Sequence, residues 1–374
     1  IKSIICSIYL CYYIRLIEEE KRSNFNYKLR EILLSIVNDG QKNEKGKEGE
    51  LLDQINFEEL KKDLKLEQIT FFSDFLRIEE DFLLDKIELD KGIGKNNLLR
   101  ENTFLLFLAV ITNIPLIIVG KPGTGKSLSA QLIYKAMRGI YSKNKFFQKF
   151  PKIIQTYFQG SESTQPEDIE KLFEIARKKR EYYDKNMKEE ELPISMILFD
   201  ELGLAEKSES NPLKVLHSKL EYTGKEEGVS FIGISNYSLD AAKVNRALYL
   251  SVPNLEDKID QLQETSKSIV ESISKNLSNH PIFDILAKAY YEYKNILNFI
   301  KELTVLKQFD SKNKESKNPI DIKKKTFSEI KDKKEFKNLL KKEKKIKVEF
   351  HGNRDLYNFI KGIAKEIGRL DENG

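Results

Sequence analysis

The spacing of apolar residues changes near Gly92. Before that point, apolar positions such as Leu10 and Ile14 recur at three- and four-residue steps, which places them on one face of a helix. A polar, glycine-containing stretch at 38–50 interrupts this pattern and is predicted as a loop. We therefore predict that residues 1–90 are a helical region that forms the edge of a preceding module or a linker.

Short apolar runs alternate with helical patterns after Gly92. The predicted strands are 115–119, 153–158, 194–199, 229–235 and 248–252, and the predicted helices between them are 126–137, 166–179, 212–220 and 240–246. Such alternation is typical of a parallel sheet with helices on both faces. The sequence thus predicts an α/β domain over 91–254 with five strands. Helical patterns return after Pro253, so 255–374 is predicted as an all-helical domain.

The positive charge of the chain is concentrated in one part of this last domain. The 374 residues carry a formal net charge of +5, whereas 307–349 alone carries +8 from 16 lysines and 8 acidic residues. A lysine tract can bind nucleic acid, but this one has no arginine and only three aromatic residues, and base recognition and stacking require both types. We interpret it as a solvated insertion and do not expect nucleic acid as a partner.

Composition and the longest apolar run exclude other classes of protein. Two cysteines, Cys6 and Cys11, are too few for a disulfide scaffold and are predicted to be reduced core thiols. The most apolar stretch, 3–14, has twelve residues, whereas a helix that spans a bilayer needs about 20. Without an export signal, the expected location is the cytoplasm. Because the chain begins with Ile rather than Met, we expect it to be a piece of a longer polypeptide.

A glycine-rich stretch follows the first predicted strand. Residues 120–127 are Gly-Lys-Pro-Gly-Thr-Gly-Lys-Ser, which matches the phosphate-binding pattern G-x-x-x-x-G-K-[ST] between a strand and a helix. Backbone amides and the helix N-terminus would surround the phosphates, while Lys126 reaches the outer phosphates and Ser127 offers a hydroxyl to Mg²⁺. The candidate nucleotide-binding residues are Gly120, Pro122, Gly123, Thr124, Gly125, Lys126, Ser127 and Leu128. By itself, the motif fits an ATPase, a kinase or a GTPase.

Polar side chains at the ends of two later strands narrow the choice among an ATPase, a kinase and a GTPase. Asp200 and Glu201 end the third strand, and Asn236 ends the fourth. We predict that Asp200 joins Ser127 in holding Mg²⁺ and that Glu201 polarises an attacking water. The neutral amide of Asn236 would orient that water without adding charge. Together these residues predict hydrolysis of a nucleoside triphosphate.

Two arginines are candidates for stabilising the charge that develops during hydrolysis. Arg246 precedes the fifth strand, where it would lie away from its own nucleotide and could reach the γ-phosphate of a neighbouring module. Arg354 opens the last predicted helix, and a helical lid could swing it onto the phosphates. An ordinary surface role stays open for Arg246, as does a surface ion pair with Asp355 for Arg354.

These features, in this order along the chain, resemble the AAA+ ATPases. By resemblance they are Walker A, Walker B, sensor 1, the arginine finger (Arg246) and sensor 2 (Arg354). The run 200–206, Asp-Glu-Leu-Gly-Leu-Ala-Glu, is also similar to the mysterin family of giant ring-finger ubiquitin ligases, which have a dynein-like core of fused AAA+ modules. Supporting likenesses lie at 120–123, 212–217, 233–236 and 352–355. The likeness covers roughly 80–370 and is to a nucleotide-competent module, the third.

The resemblance implies a P-loop AAA+ sheet of five parallel strands flanked by helices, followed by an all-α lid. It implies ATP and Mg²⁺ as cofactors, and Ile93 and Gly94 as residues that touch adenine. The implied partners are neighbouring AAA+ modules of the same polypeptide, together with a protein substrate or the ubiquitin machinery through the parent chain. This chain has no Cys/His cluster for a ring finger, so ligase activity is not expected in it.

Two other functions compete with ATP hydrolysis. A nucleotide-gated scaffold would bind ATP, turn it over seldom, and hold neighbouring modules together. A nucleic-acid-dependent P-loop ATPase is suggested only by the lysine tract. Tyr157 and Phe158 could belong to a pore loop that grips a substrate, but they fall inside a predicted strand, so we predict that both are buried.

Overall fold

The structure is a computed structural model, and the residues that it describes fall into several ranges. They are 7–9, 11–16, 20–29, 31–32, 72–186, 192–221, 229–240, 245–253, 259–277, 280–296 and 353–373. The chain divides into two compact units, one of Ile1–Asp90 with Lys95–Asn254 and the other of Lys91–Gly94 with Leu255–Gly374. Cys6, the loop predicted at 38–50 and the lysine tract at 307–349 lie outside the described residues. The division into three domains stays a prediction.

A five-stranded parallel sheet lies at the centre of the first unit. Its strands are β1 (Leu116–Val119), β2 (Ile153–Gln159), β3 (Ile194–Asp200), β4 (Val229–Ser235) and β5 (Leu248–Ser251). They lie in the order β2-β3-β4-β1-β5, and every neighbouring pair is parallel. All of β1 and all of β3 except its last residue are buried, as expected for apolar strands that are covered on both faces. The predicted α/β class is confirmed.

Helices surround this sheet in the described part of the first unit. From residue 72 onward they are α1 (Phe72–Lys86), α2 (Asn97–Thr112), α3 (Lys126–Ala136), α4 (Pro166–Asn186), α5 (Leu202–Ala205) and α6 (Val215–Lys219). The side chain of Asn96 caps α2 by accepting a hydrogen bond from Leu99 N over 2.8 Å, so this helix has a fixed start. Most residues of α2 are buried. On α4, Phe173 stacks on Phe231 of β4 with ring centroids 5.8 Å apart.

Three predictions about single segments differ from the structure. Phe158 packs edge-on against Phe199, with centroids 5.0 Å apart, but Tyr157 is 54% exposed because β2 is an edge strand. Cys11 is exposed, since the inward face of its segment is formed by Tyr13 and its buried neighbours. The helix predicted at 240–246 lies partly outside the described residues, and its last two residues form a turn.

The described residues of the second unit from 259 onward are mainly helical. It contains α7 (Ile259–Ile273), α8 (281–296) and α9 (Asn353–Asn373). Their apolar faces share one core, which includes Leu262, Ile269, Phe283, Ala287, Ile360 and Ala364. The helical patterns predicted after Pro253 therefore correspond to packed amphipathic helices.

Candidate functional site

The predicted phosphate-binding loop, 120–127, follows β1 and runs into α3. Gly123 and Gly125 have φ angles of 86° and 78°, a left-handed conformation that glycine adopts at little cost. Thr124 Oγ1 donates a hydrogen bond to Lys121 O over 2.8 Å and closes the turn. Helix α3 begins at Lys126, so the unpaired N–H groups of its first turn and its positive dipole end face the loop. This arrangement supplies the donors that a phosphate chain requires.

Lys126 lies inside this loop and is only 5% exposed. Its ammonium donates hydrogen bonds to Gly120 O at 2.7 Å and to Lys121 O at 2.8 Å. It also donates to Asn236 Oδ1 at 3.1 Å. An ammonium has three N–H donors, and here they connect the loop to the residue after β4. The positive charge is therefore held between the loop and Asn236.

Ser127 and Asp200 form a second contact between the loop and the sheet. Ser127 Oγ donates a hydrogen bond to Asp200 Oδ2 over 3.2 Å. The other carboxylate oxygen of Asp200 accepts from the backbone N–H of Glu201 at 2.9 Å. Carboxylate oxygens and substrate phosphates are the usual ligands of Mg²⁺, and a loop hydroxyl with an acidic strand end holds it in P-loop enzymes. This donor set fits Mg²⁺.

Glu201 and Asn236 are joined directly. Asn236 Nδ2 donates a hydrogen bond to Glu201 Oε1 over 2.8 Å, so the amide of Asn236 bridges the Lys126 ammonium and the Glu201 carboxylate. Glu201 itself has φ 55°, a left-handed conformation that costs on the order of 1–3 kcal/mol in a residue with a side chain. Strain of this kind is concentrated at functional sites. Here it turns the chain sharply out of β3 and leaves the carboxylate beside Asn236.

Two glycines lie so close to their neighbours near the Glu201 turn that a larger residue would not fit at either position. A Cβ atom added to Gly203 would lie 2.6 Å from Ser235 Oγ, and one added to Gly160 would lie 2.7 Å from Glu201 O. Both distances are too short for real Cβ contacts. The short helix α5 is thus packed between the ends of β2 and β4, and this packing sets the direction of the Glu201 turn.

Tyr157 lies on the same face of the sheet as Asp200. In the parallel register, Tyr157 is opposite Leu198 and Gln159 is opposite Asp200, and paired residues project from the same face. Partial burial, together with the negative charges of Asp200 and Glu201, raises the pKa of the Tyr157 phenol. Sequence reasoning missed this neighbour because it placed Tyr157 in the core.

Asn102 is a second residue that sequence reasoning missed. It lies on α2, is 0% exposed, and donates from Nδ2 to Thr124 O over 3.0 Å. Its contact therefore holds the phosphate-binding loop from the side of α2. The sequence gives little signal for it, because Asn102 is one of four consecutive polar residues, 100–103, and only its burial shows that its amide requires a partner.

The remaining predicted site residues occupy separate places. Pro122 is exposed in the loop, and Leu128 is half-buried in the first turn of α3. Ile93, Gly94 and Arg354 belong to the second unit. There, a Cβ added to Gly94 would come within 2.9 Å of Ile269 Cγ1, and Arg354 is exposed at the start of α9. Their roles toward a nucleotide stay predictions.

Arg246 lies at the opposite end of the sheet from the phosphate-binding loop. It is half-buried in the turn before β5, and Leu248 N of that strand donates to Pro115 O over 2.8 Å. Arg246 is therefore near the amino end of β1, whereas the loop follows the carboxyl end. Its predicted role in a neighbouring site stays a prediction.

The comparisons with known proteins point to one family. A family model described as the RNF213 AAA domain matches residues 92–258. The chain is 38% identical over 200 residues to E3 ubiquitin-protein ligase rnf213-beta of Danio rerio and 34% identical over 199 residues to E3 ubiquitin-protein ligase RNF213 of Homo sapiens. Each alignment covers 52% of this chain and 4% of the relative, so the chain spans a small part of these proteins.

Two solved structures align with parts of this chain at low sequence identity and low TM-score. A chain of Drosophila ORC bound to DNA aligns with a TM-score of 0.35 and 14% identity, covering 51% of this chain and 49% of that one. C. elegans PCH-2 aligns with a TM-score of 0.31 and 15% identity, covering 56% and 62%. Within the described residues, no helix is both long and apolar enough to cross a bilayer.

Proposed function

Residues 92–258 belong to the RNF213 (mysterin) type of AAA+ module, and from this premise we propose that the chain binds ATP with Mg²⁺ and hydrolyses the ATP. One observation carries the proposal: the hydrogen-bonded series from Lys126 through Asn236 to Glu201. It brings a cation, an amide and a carboxylate together beside a loop shaped for phosphates.

The side chains divide the work of hydrolysis among them. The loop amides and Lys126 hold the phosphates, and Ser127 with Asp200 would hold Mg²⁺, which would supply positive charge to the phosphates. Glu201 accepts a proton from the attacking water as that water forms a bond to the terminal phosphorus and the bond to the leaving phosphate oxygen breaks. Asn236 orients the water and the Glu201 carboxylate.

We propose further that this module works within a longer polypeptide. The relatives are E3 ubiquitin-protein ligases by name, and the chain spans 4% of their length. Its partners would then be neighbouring AAA+ modules of the same polypeptide in the cytoplasm. Ubiquitin transfer would belong to other parts of that polypeptide, and ATP-driven change of shape would be the contribution of this module.

Binding of a fluorescent ATP analogue to the Lys126→Ala variant tests this proposal. We expect binding to be lost, because the ammonium that faces the outer phosphates is removed. Lys135→Ala is the matched control, since Lys135 is an exposed lysine of the same helix that pairs with Asp90 at the surface. Unchanged affinity in Lys126→Ala would refute the assignment of the phosphate site.

A further inference from the structure

The N-terminal segment, meaning the described residues between 7 and 32, precedes the family match and yet packs on the sheet of the first unit. Its short 3-10 helix Tyr13–Arg15 contacts β5. Ile14 is fully buried, and Tyr9 stacks on Tyr13 with ring centroids 4.6 Å apart. The segment therefore folds with the nucleotide-binding sheet and covers its edge strand.

Arg22 is the polar centre of this packing and is only 6% exposed. Its Nη1 donates hydrogen bonds to both carboxylate oxygens of Glu101, at 3.1 and 3.2 Å. Nη2 donates to Ser251 O at 3.0 Å, and Nε donates to Leu16 O at 2.7 Å. The guanidinium also lies 4.9 Å from the centre of the Tyr13 ring. Because all three of its nitrogens are bonded, Arg22 links α2 and β5 in one fixed geometry.

The Glu101 partner of Arg22 is next to a residue that holds the phosphate-binding loop. Glu101 and Asn102 are consecutive on α2. Asn102 Nδ2 donates to Thr124 O over 3.0 Å. A displacement of α2 at Glu101 therefore moves the donor that fixes the carbonyl of Thr124.

The Ser251 partner is next to a residue that contacts the same loop at Gly120. Val252 follows Ser251, and its N–H donates to Val119 O over 2.7 Å. Its side chain lies so close to Gly120 that a Cβ atom added there would be 2.8 Å from Val252 Cβ. The end of β5 thus fixes the first residue of the loop.

From these contacts we infer that Arg22 is a positioning residue of the ATP site: it fixes α2 against the end of β5, and these two elements contact the phosphate-binding loop at Thr124 and at Gly120. The inference rests on the proposed function, because ATP is taken as the ligand of the loop. Arg22 acts through Glu101 and Ser251. If packing of the N-terminal segment raises the affinity for ATP by some factor, then bound ATP must favour packing of that segment by the same factor.

Hydrogen exchange of the unaltered 374-residue chain with and without saturating ATP provides the first test. With ATP, we expect amides at 20–29 to exchange at least about fivefold more slowly. This factor is the lower end of the typical coupling between two sites. Amides at 121–127 report binding itself. Protection at 121–127 without any change at 20–29 overturns the inference and leaves the proposed function intact. Absence of protection at 20–29 and at 121–127 would overturn the inference and the proposed function together.

Two variants separate positioning from stability. Arg22→Met is expected to weaken binding of a fluorescent ATP analogue by about fivefold or more, whereas Arg15→Met, at an exposed position of the same segment, is expected to leave it unchanged. The single variant leaves the Glu101 carboxylate buried without its cation, which lowers stability. Arg22→Met combined with Glu101→Gln removes that charge, so we expect Tm to recover while binding stays weak. If Tm and ATP affinity both return to the values of the unaltered chain, the inference is overturned.

Discussion

Asn236 donates from Nδ2 to Glu201 Oε1 over 2.8 Å. Its Oδ1 accepts from Lys126 Nζ at 3.1 Å, so the orientation of the amide is determined by a pure donor on one side and an acceptor on the other. The three side chains come from α3, the end of β3 and the end of β4. The neutral amide keeps the ammonium and the carboxylate at a fixed separation, which preorganises both for a phosphate and a water between them.

Glu201→Gln should bind ATP normally and fail to hydrolyse it. Glutamine keeps an oxygen that can accept from Asn236 Nδ2, so the local geometry is retained, but it cannot take a proton from water. Loss of a general base lowers the rate by about 10²–10⁴-fold. Phosphate release and ATP affinity should be measured on the same preparation. Normal turnover in this variant would remove Glu201 from its assigned role.

Local patterns were sufficient to predict the strands and the polar residues that follow them. The loop at 120–127 and the acidic end of β3 depend on residues that are near one another in sequence, and each follows a buried apolar run. The sheet order could not be predicted in this way. Because β2 is an edge strand, Tyr157 is exposed, whereas Phe158 is partly buried and packs against the core.

Contacts between distant parts of the chain account for the rest of what the sequence did not reveal. Arg22 meets Glu101 and Ser251 across separations of 79 and 229 residues. No periodicity within residues 1–90 indicates such partners. The hydrogen bond from Asn102 to Thr124 O could not be predicted from the sequence for the same reason, since its two residues belong to different predicted elements.

Gly203→Ala should lower turnover more than it lowers ATP affinity. The added Cβ would lie 2.6 Å from Ser235 Oγ, so α5 must move and carry the Glu201 turn with it. Misplacement of a catalytic group by on the order of 1 Å costs about 10²-fold in rate. Steady-state kinetics and ATP titration would separate the two effects.

Gly362→Ala is the matched control for that variant. A Cβ added at Gly362 meets nothing within 4 Å, and the residue lies within α9. We expect the free energy of unfolding to rise by about 0.5–1 kcal/mol, because alanine is the better helix former. Equal loss of turnover in both variants would contradict the role given to Gly203.

Glu80→Gln should stabilise the chain above neutral pH. Burial raises the pKa of the Glu80 carboxyl well above its usual value, and the charges of Glu101 and Asp81 raise it further, against Tyr9 and Arg100. The folded state therefore binds this proton more tightly than the unfolded chain does. Stability is fully present below the unfolded pKa, about 4.3, and falls as pH rises through the folded pKa.

Glutamine removes this dependence, so thermal unfolding between pH 4 and pH 9 should show a smaller fall in Tm for Glu80→Gln. In a domain of about 150–250 residues, 1 kcal/mol shifts Tm by about 2–4 °C, and the shift is smaller in a larger one, so the difference is measurable. Glu79→Gln is the control, since Glu79 is a half-buried carboxylate on the same helix. Parallel Tm profiles for the unaltered chain and Glu80→Gln would argue against a protonated Glu80.

Arg246→Ala should leave ATP binding by this chain unchanged and slow hydrolysis only when neighbouring modules are present. The four residues of β1 separate Arg246 from the phosphate-binding loop by about 13 Å, so its guanidinium would serve the site of an adjacent module. A missing arginine finger costs about 10³–10⁵-fold in turnover. Arg138→Ala is the control, because Arg138 is an exposed arginine that follows α3, far from the loop. Turnover should be compared in the 374-residue chain and in a longer polypeptide with its neighbouring modules. Loss of ATP binding in the shorter chain would instead place Arg246 in its own site.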